Sequence, residues 1–152
     1  MANTYPDKVD MKKTVEQLKS FCRGEISAVE TYTTALTSPS LQQYADTLRS
    51  CQASHQQRVS LLSQEIQRLG GEVPDSAGPW GALVDTIEHA AVGLGAKTAI
   101  AALEEGEDHG LKDYRSDVDK LDPTERSFVE TRIVPAQLES HRLMSTLKHS
   151  LS

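Results

Sequence analysis

This chain is short of the features that would tie it to a membrane, a nucleic acid or an oxidising compartment. Aromatic residues make up only 5% of its 152 positions, with one tryptophan and two phenylalanines. No apolar run approaches the roughly 20 residues that a membrane span needs. The opening MANTYPDKVD holds no hydrophobic signal segment, so cytoplasmic residence is expected. Basic residues are outnumbered, 16 Lys and Arg against 22 Asp and Glu, for a formal net charge of −6. A nucleic-acid surface needs a clustered basic face, and the small group Lys12, Lys13 and Lys19 reads as a solvated helix face. Neither nucleic acid nor membrane is expected as a partner. Cys22 and Cys51 are the only thiols. Their offset along neighbouring helices is about 7 Å, awkward for a disulfide, so both read as reduced, small apolar residues.

What the chain does have is helix formers and apolar positions spaced by threes and fours. Alternating β-branched runs are absent, which favours an all-α class and one domain. Residues 1–9 read as a loose lead-in and 10–152 as the domain. The first helix is expected from Asp10, carrying Leu18, Phe21, Glu25, Ala28, Tyr32 and Leu36 on one face. Thr37-Ser38-Pro39-Ser40 ends it. A second helix runs to Leu69 before Gly70-Gly71 stops it. After an irregular stretch around Trp80 come a short helical piece, 82–92, and a third long helix over 97–117. Asp122-Pro123-Thr124-Glu125 has the make-up of a capping box. The last helix then presents Phe128, Val134, Leu138, His141 and Met144 inward, with a kink expected at Pro135.

Short turns make antiparallel pairs of the first two and last two long helices. The middle connection, about 25 residues with its own short helix, is long enough to cross the bundle's length. The expected architecture is therefore an up-down-down-up four-helix bundle.

Each apolar stripe is interrupted once by a ligand-type side chain: Glu25, His55, Glu107 and His141. Glu25 and His55 are nearly equidistant from the turn at Pro39, level within about 3 Å, and under the crossover topology Glu107 and His141 approach the same layer. An ionised carboxylate in an apolar layer costs several kcal/mol unless it is paired or bound to a metal. Two readings follow. One is a metal site for Fe, Mn or Zn. The other is a pair of Glu–His hydrogen bonds that merely fix the register of the bundle. Glu104, three residues before Glu107, is a reserve ligand. Tyr32 and Tyr114, each seven residues beyond one of the glutamates, read as core packing. Gly106 and Gly110 flank Glu107 and suggest close backbone approach beside it, at about 1 kcal/mol each.

GEISAVETY (24–32), HQQR (55–58), PWGAL (79–83), ALEEGEDHGLKDYR (102–115) and PAQLESH (135–141) resemble one bacterial family, the ferritin-like four-helix family catalogued as a domain of unknown function. The likeness spans about residues 11–150. It implies a ferritin-like fold and no particular activity. Di-iron members of the wider fold place Glu-x-x-His on two of the helices. Here Gln52 and Leu138 stand where those glutamates would be, so the layer resembles a degenerate di-iron site, and the resemblance implies a single ion rather than two, or a site that has lost its metal.

Hydrolytic chemistry finds no support, since nucleophile–base spacing and a phosphate-cradling glycine loop are both missing. The remaining classes are a metal-binding protein, redox-active or stress-related, and a metal-free bundle that dimerises or holds a protein partner.

Overall fold

The computed structural model describes residues 8–78 and 82–151, and all regular structure among them is helical. The elements are α1 (Lys8–Thr37), α2 (Ala45–Arg68), α3 (Ala82–His89), α4 (Ala96–Asp117), α5 (Pro123–Phe128) and α6 (Val134–Ser150). Helix α1 thus opens two residues before the expected start, and Trp80 lies outside the described residues. No described helix is long and apolar enough to cross a membrane.

The turns follow the sequence signals, with local differences. Pro39 opens a 3-10 turn, Pro39–Tyr44, between α1 and α2. There the side chain of Gln42 donates to the Leu36 and Ser38 carbonyls at 2.7 and 3.0 Å, covering backbone acceptors at the end of α1. Helix α2 ends at Arg68, and Gly70, two residues on, has a φ of 81° that suits a residue without Cβ, while Gly71 N–H reaches back to the Ile66 carbonyl at 2.9 Å. Only half of the capping box forms. Asp122 Oδ1 accepts from Glu125 N–H at 3.0 Å, whereas Asp122 N–H donates to Thr14 Oγ1 on α1. The Glu125 carboxylate turns instead to Arg68 on α2, at 2.6 Å.

Helix α1 packs along α2 and α4 along α6, while α3 lies against α1. The apolar core forms two clusters. One joins Tyr32 and Ala35 late in α1, Leu48 and Cys51 early in α2, Ile100 and Leu103 early in α4, and Met144 in α6; Ile87 of α3 completes it. The other joins Leu18, Phe21 and Cys22 of α1 with Leu62 and Ile66 late in α2, Tyr114 late in α4, and Val129 and Ile133. Each buried Leu or Ile contributes about 1.5–3 kcal/mol. Between the clusters lies a polar layer.

The last helical rod departs from the expected regular helix. Val129–Ile133 is a π-helical segment, closed by a bond from Val134 N–H to the Val129 carbonyl. A wider turn of this kind holds one residue more than an α-turn and shifts everything beyond it by about 100°. The buried positions are Glu125, Val129, Ile133, Gln137, Ser140 and Met144. They stand one residue ahead of the expected Val134, Leu138 and His141. Leu138 is consequently 41% exposed, and His141 leaves the core.

Candidate functional site

The polar layer is built from four helices. Glu25 on α1 and Glu107 on α4 are both 3% exposed, as is His55 on α2 between them. His55 Nδ1 lies 2.5 Å from Glu25 Oε2, and its Nε2 lies 2.7 Å from Glu107 Oε1. An ionised carboxylate only accepts hydrogen bonds, so a ring held on both sides in this way donates twice and is an imidazolium. Burial alone would lower the His55 pKa, but the charges of Glu25 and Glu107 outweigh it and the net shift is upward. Burial would likewise raise both carboxyls. Arg58 and His55 nevertheless hold Glu25 below its ordinary value, and His55 with the Tyr32 hydrogen bond brings Glu107 down to about 2.

Arg58, 1% exposed, is the second cation of the layer. Its Nη1 donates to Glu25 Oε1 at 3.2 Å and also to Gln137 Oε1. Its Nη2 donates to Ser140 Oγ at 2.9 Å. Ser140 Oγ passes its own hydrogen to Glu107 Oε2 at 2.7 Å, and Gln137 Nε2 donates to the same oxygen at 3.0 Å. Gln137 gets there because Gly110 faces it: a Cβ at Gly110 would sit 3.0 Å from Gln137 Nε2. The close approach expected beside Glu107 is thus made at Gly110.

Two tyrosines close the network. Tyr32 OH donates to Glu107 Oε1 at 2.6 Å, and Tyr114 OH donates to Glu25 Oε1 at 2.5 Å. Burial and the adjacent carboxylates push both phenols well above their ordinary pKa, so they stay protonated donors. Tyr32 also stacks on the His55 ring, with centroids 5.4 Å apart. With Glu25 and Glu107 negative and His55 and Arg58 positive, the formal charges of the layer cancel.

Of the four residues singled out from the sequence, the structure brings Glu25, His55 and Glu107 together and leaves His141 out. His141 Nε2 stands 3.3 Å from Glu104 Oε1, with its side chain 25% exposed. The buried stripe runs through Ile133, Gln137 and Ser140, so Ser140 faces inward in its place. Glu104, the reserve ligand, pairs with His141 and with Lys148 at 3.0 Å, outside the layer. Arg58, Gln137 and Ser140 escaped the sequence reading. Arg58 carried a signal: Cys51, His55, Arg58 and Leu62 form a four–three–four stripe with no gap. The tyrosines also carried one, in their common seven-residue offset from a buried glutamate.

The layer does not suit a metal ion as it is arranged. Both His55 nitrogens carry hydrogens toward carboxylates, which leaves no lone pair for coordination, and Arg58 holds an oxygen of Glu25. No group of three or more His, Cys, Asp or Glu side chains among the described residues is disposed to hold one. The two cysteines are buried and free. Burial pushes the Cys51 thiol up to about 12 and raises Cys22 as well, so neither offers a ready thiolate.

A cavity of about 550 Å³ opens between α1 and α4, above the Glu25–His55–Glu107 floor. The site is therefore a buried ion-pair layer under an interhelical cleft, in an all-helical protein. The chain belongs to the family described as a domain of unknown function (DUF2383), whose model matches residues 13–120, from α1 to the turn that follows α4. No curated protein and no solved structure matches it.

Proposed function

We propose that the protein is a ferritin-like bundle of up-down-down-up topology that works as a metal-free binding scaffold. The topology draws support from the two core clusters, in which the end of α1 meets the start of α4 and the start of α1 meets its end. The metal-free reading rests on one observation. The cations that neutralise Glu25 and Glu107 are the protein's own, with Arg58 inside the layer and both His55 nitrogens occupied. A buried carboxylate pair needs two positive charges, and here they are covalently attached. In this reading the layer fixes the register of the helices, and function lies in what the bundle holds, a protein partner, a second copy or a ligand, in the cytoplasm.

Metal analysis tests this directly. After incubation with Fe(II), Mn(II) and Zn(II) and exhaustive dialysis, the wild-type chain is expected to retain well below one equivalent of each. Retention near one ion per chain, lost in Glu107→Ala, would overturn the reading. It would support a single-ion centre in the layer instead.

A further inference from the structure

The end of α2 and the start of α5 meet through a separate charged cluster, about 15 Å along α2 from Arg58. Arg68 Nη2 donates to Glu65 Oε2 at 3.0 Å and to Glu125 Oε1 at 2.6 Å, so one guanidinium spans two carboxyl groups. Arg68 is exposed and Glu65 partly so, whereas the Glu125 side chain is only 1% exposed. The helix cap explains this placement. A glutamate three residues into a capping box ordinarily reaches back to the cap N–H. Here Thr14 of α1 already accepts from Asp122 N–H, which leaves the Glu125 carboxyl free for α2.

Two observations place a proton between the carboxyls. Glu65 and Glu125 are hydrogen-bonded to each other, yet two ionised carboxylates hold only acceptors. One of them must carry a hydrogen. In addition, no donor reaches the buried Glu125 Oε2. As a hydroxyl this oxygen becomes the donor, while Oε1 still accepts from Arg68. The surrounding charges favour the same assignment. Burial and Glu65 push Glu125 up to about 7 against the pull of Arg68, with Asp122 adding to the rise. Arg68 meanwhile holds Glu65 below its ordinary value. Arg126, next along α5, is engaged by Asp119 and Glu130, both at 2.8 Å. From α1 the facing group is the neutral Thr14 hydroxyl.

We infer that Glu65 and Glu125 share one proton and that this pair, with Arg68, is a pH-operated latch fastening α5 to the end of α2. While the proton is held, one carboxylate faces one guanidinium and the first turn of α5 is closed. Loss of the proton leaves two carboxylates on a single guanidinium, one of them buried away from water. Glu125 relieves this by swinging outward, which opens Pro123–Phe128. A group whose folded pKa is raised weakens the fold as the pH climbs through that value, so the latch opens on the alkaline side. Val129 and Ile133 follow α5 into the core, so opening acts on the end of the bundle that holds Leu62 and Ile66. The inference goes beyond the metal-free reading and does not depend on it, because neither carboxyl belongs to the ion-pair layer.

Carboxyl carbon shifts of the isotope-labelled full chain, followed by NMR across the pH range, test the shared proton. The Glu125 midpoint is expected near 7, and a midpoint below about 5.5 overturns the inference. Glu65→Gln removes the like charge and should lower that midpoint by about one unit or more. An unchanged midpoint overturns the pairing. The latch itself is read from hydrogen exchange of the Arg126 amide, which donates to the Asp122 carbonyl at 2.8 Å. Rates are corrected for intrinsic exchange and referenced to the Leu48 amide, which absorbs any effect of His55 on the whole bundle. Relative protection should fall about three- to tenfold between about pH 6 and 8. Glu125→Gln keeps a neutral donor in place and should abolish the fall. Flat protection in the wild type, or a fall that survives in Glu125→Gln, overturns the latch.

Discussion

Tyr32 on α1 donates to Glu107 on α4 at 2.6 Å, and Tyr114, seven residues after Glu107, returns the contact to Glu25, seven residues before Tyr32. The two helices are thus cross-tied through a pair of reciprocal phenol–carboxylate bonds. A hydrogen bond to a charged group contributes about 1.5–3 kcal/mol. Tyr32→Phe and Tyr114→Phe are each expected to lower unfolding stability by about 1.5 kcal/mol in urea titrations. Because both act on one network through His55, the double variant should depart from additivity by at least about 0.5 kcal/mol. Strict additivity would mean that the two ties are independent.

Arg58 carries a heavier load. Removing one partner from a buried ion pair leaves an uncompensated charge, at a cost of about 3–5 kcal/mol. Arg58→Ala should show a loss of that size. Arg58→Lys should recover only part of it, because an ammonium cannot replace the planar fork that reaches Glu25, Gln137 and Ser140 together. A loss under about 1 kcal/mol for Arg58→Ala would show that Glu25 is served by His55 and Tyr114 alone.

The layer should also leave its mark on stability as a function of pH. Glu107 is depressed from 4.5 to about 2, so its contribution is present above pH 4.5 and fades as the pH falls toward 2. His55 is raised above 6.5, so its contribution is complete below 6.5 and fades as the pH rises through the folded value. Stability should therefore peak between about pH 4.5 and 6.5. Chemical denaturation from pH 3 to 9 checks this, and a maximum above pH 8 would contradict it.

Glu125 contributes to the same alkaline decline from the end of the bundle. Burial and the nearby Glu65 push its carboxyl up to about 7 despite Arg68, and its Oε2 has no hydrogen-bond partner. An acid whose folded pKa is raised loses stability as the pH climbs from 4.5 through 7. Glu125→Gln removes that slope and should stabilise the protein by about 1 kcal/mol at pH 8 while changing little at pH 4. Measured in this background, the remaining alkaline decline belongs to His55.

His141→Ala, by contrast, should shift stability by no more than about 0.5 kcal/mol, as expected of a partly exposed ion pair. Ser140→Ala, one residue earlier, removes a donor to buried Glu107 and should cost about 1–3 kcal/mol. The reverse order would place the histidine in the layer after all.

These contrasts show what the sequence could and could not disclose. The helical class, the long rods and the stops at Pro39, Gly70 and Asp122 were legible because each rests on local chemistry, whether apolar spacing, glycine freedom or proline's missing donor. Glu25, His55 and Glu107 were legible because charge on an apolar stripe is anomalous wherever it occurs. His141 was misplaced because the expected stripe was carried through Val134 and Leu138, apolar neighbours of the positions that are in fact buried, Ile133 and Gln137. Arg58 was passed over because Val59 beside it gave an ordinary apolar alternative. Its role becomes visible only once Glu25 and Gln137 are seen to converge on its guanidinium.

The segment Val129–Ile133 therefore stores a spare residue in the rod. A π-turn carries one residue more than an α-turn, so a single-codon deletion there that restored regular α geometry would cancel the surplus and leave Gln137 and Ser140 turned toward Glu107. A crystal structure of such a deletion variant should show the guanidinium-sealed layer intact on a shorter rod.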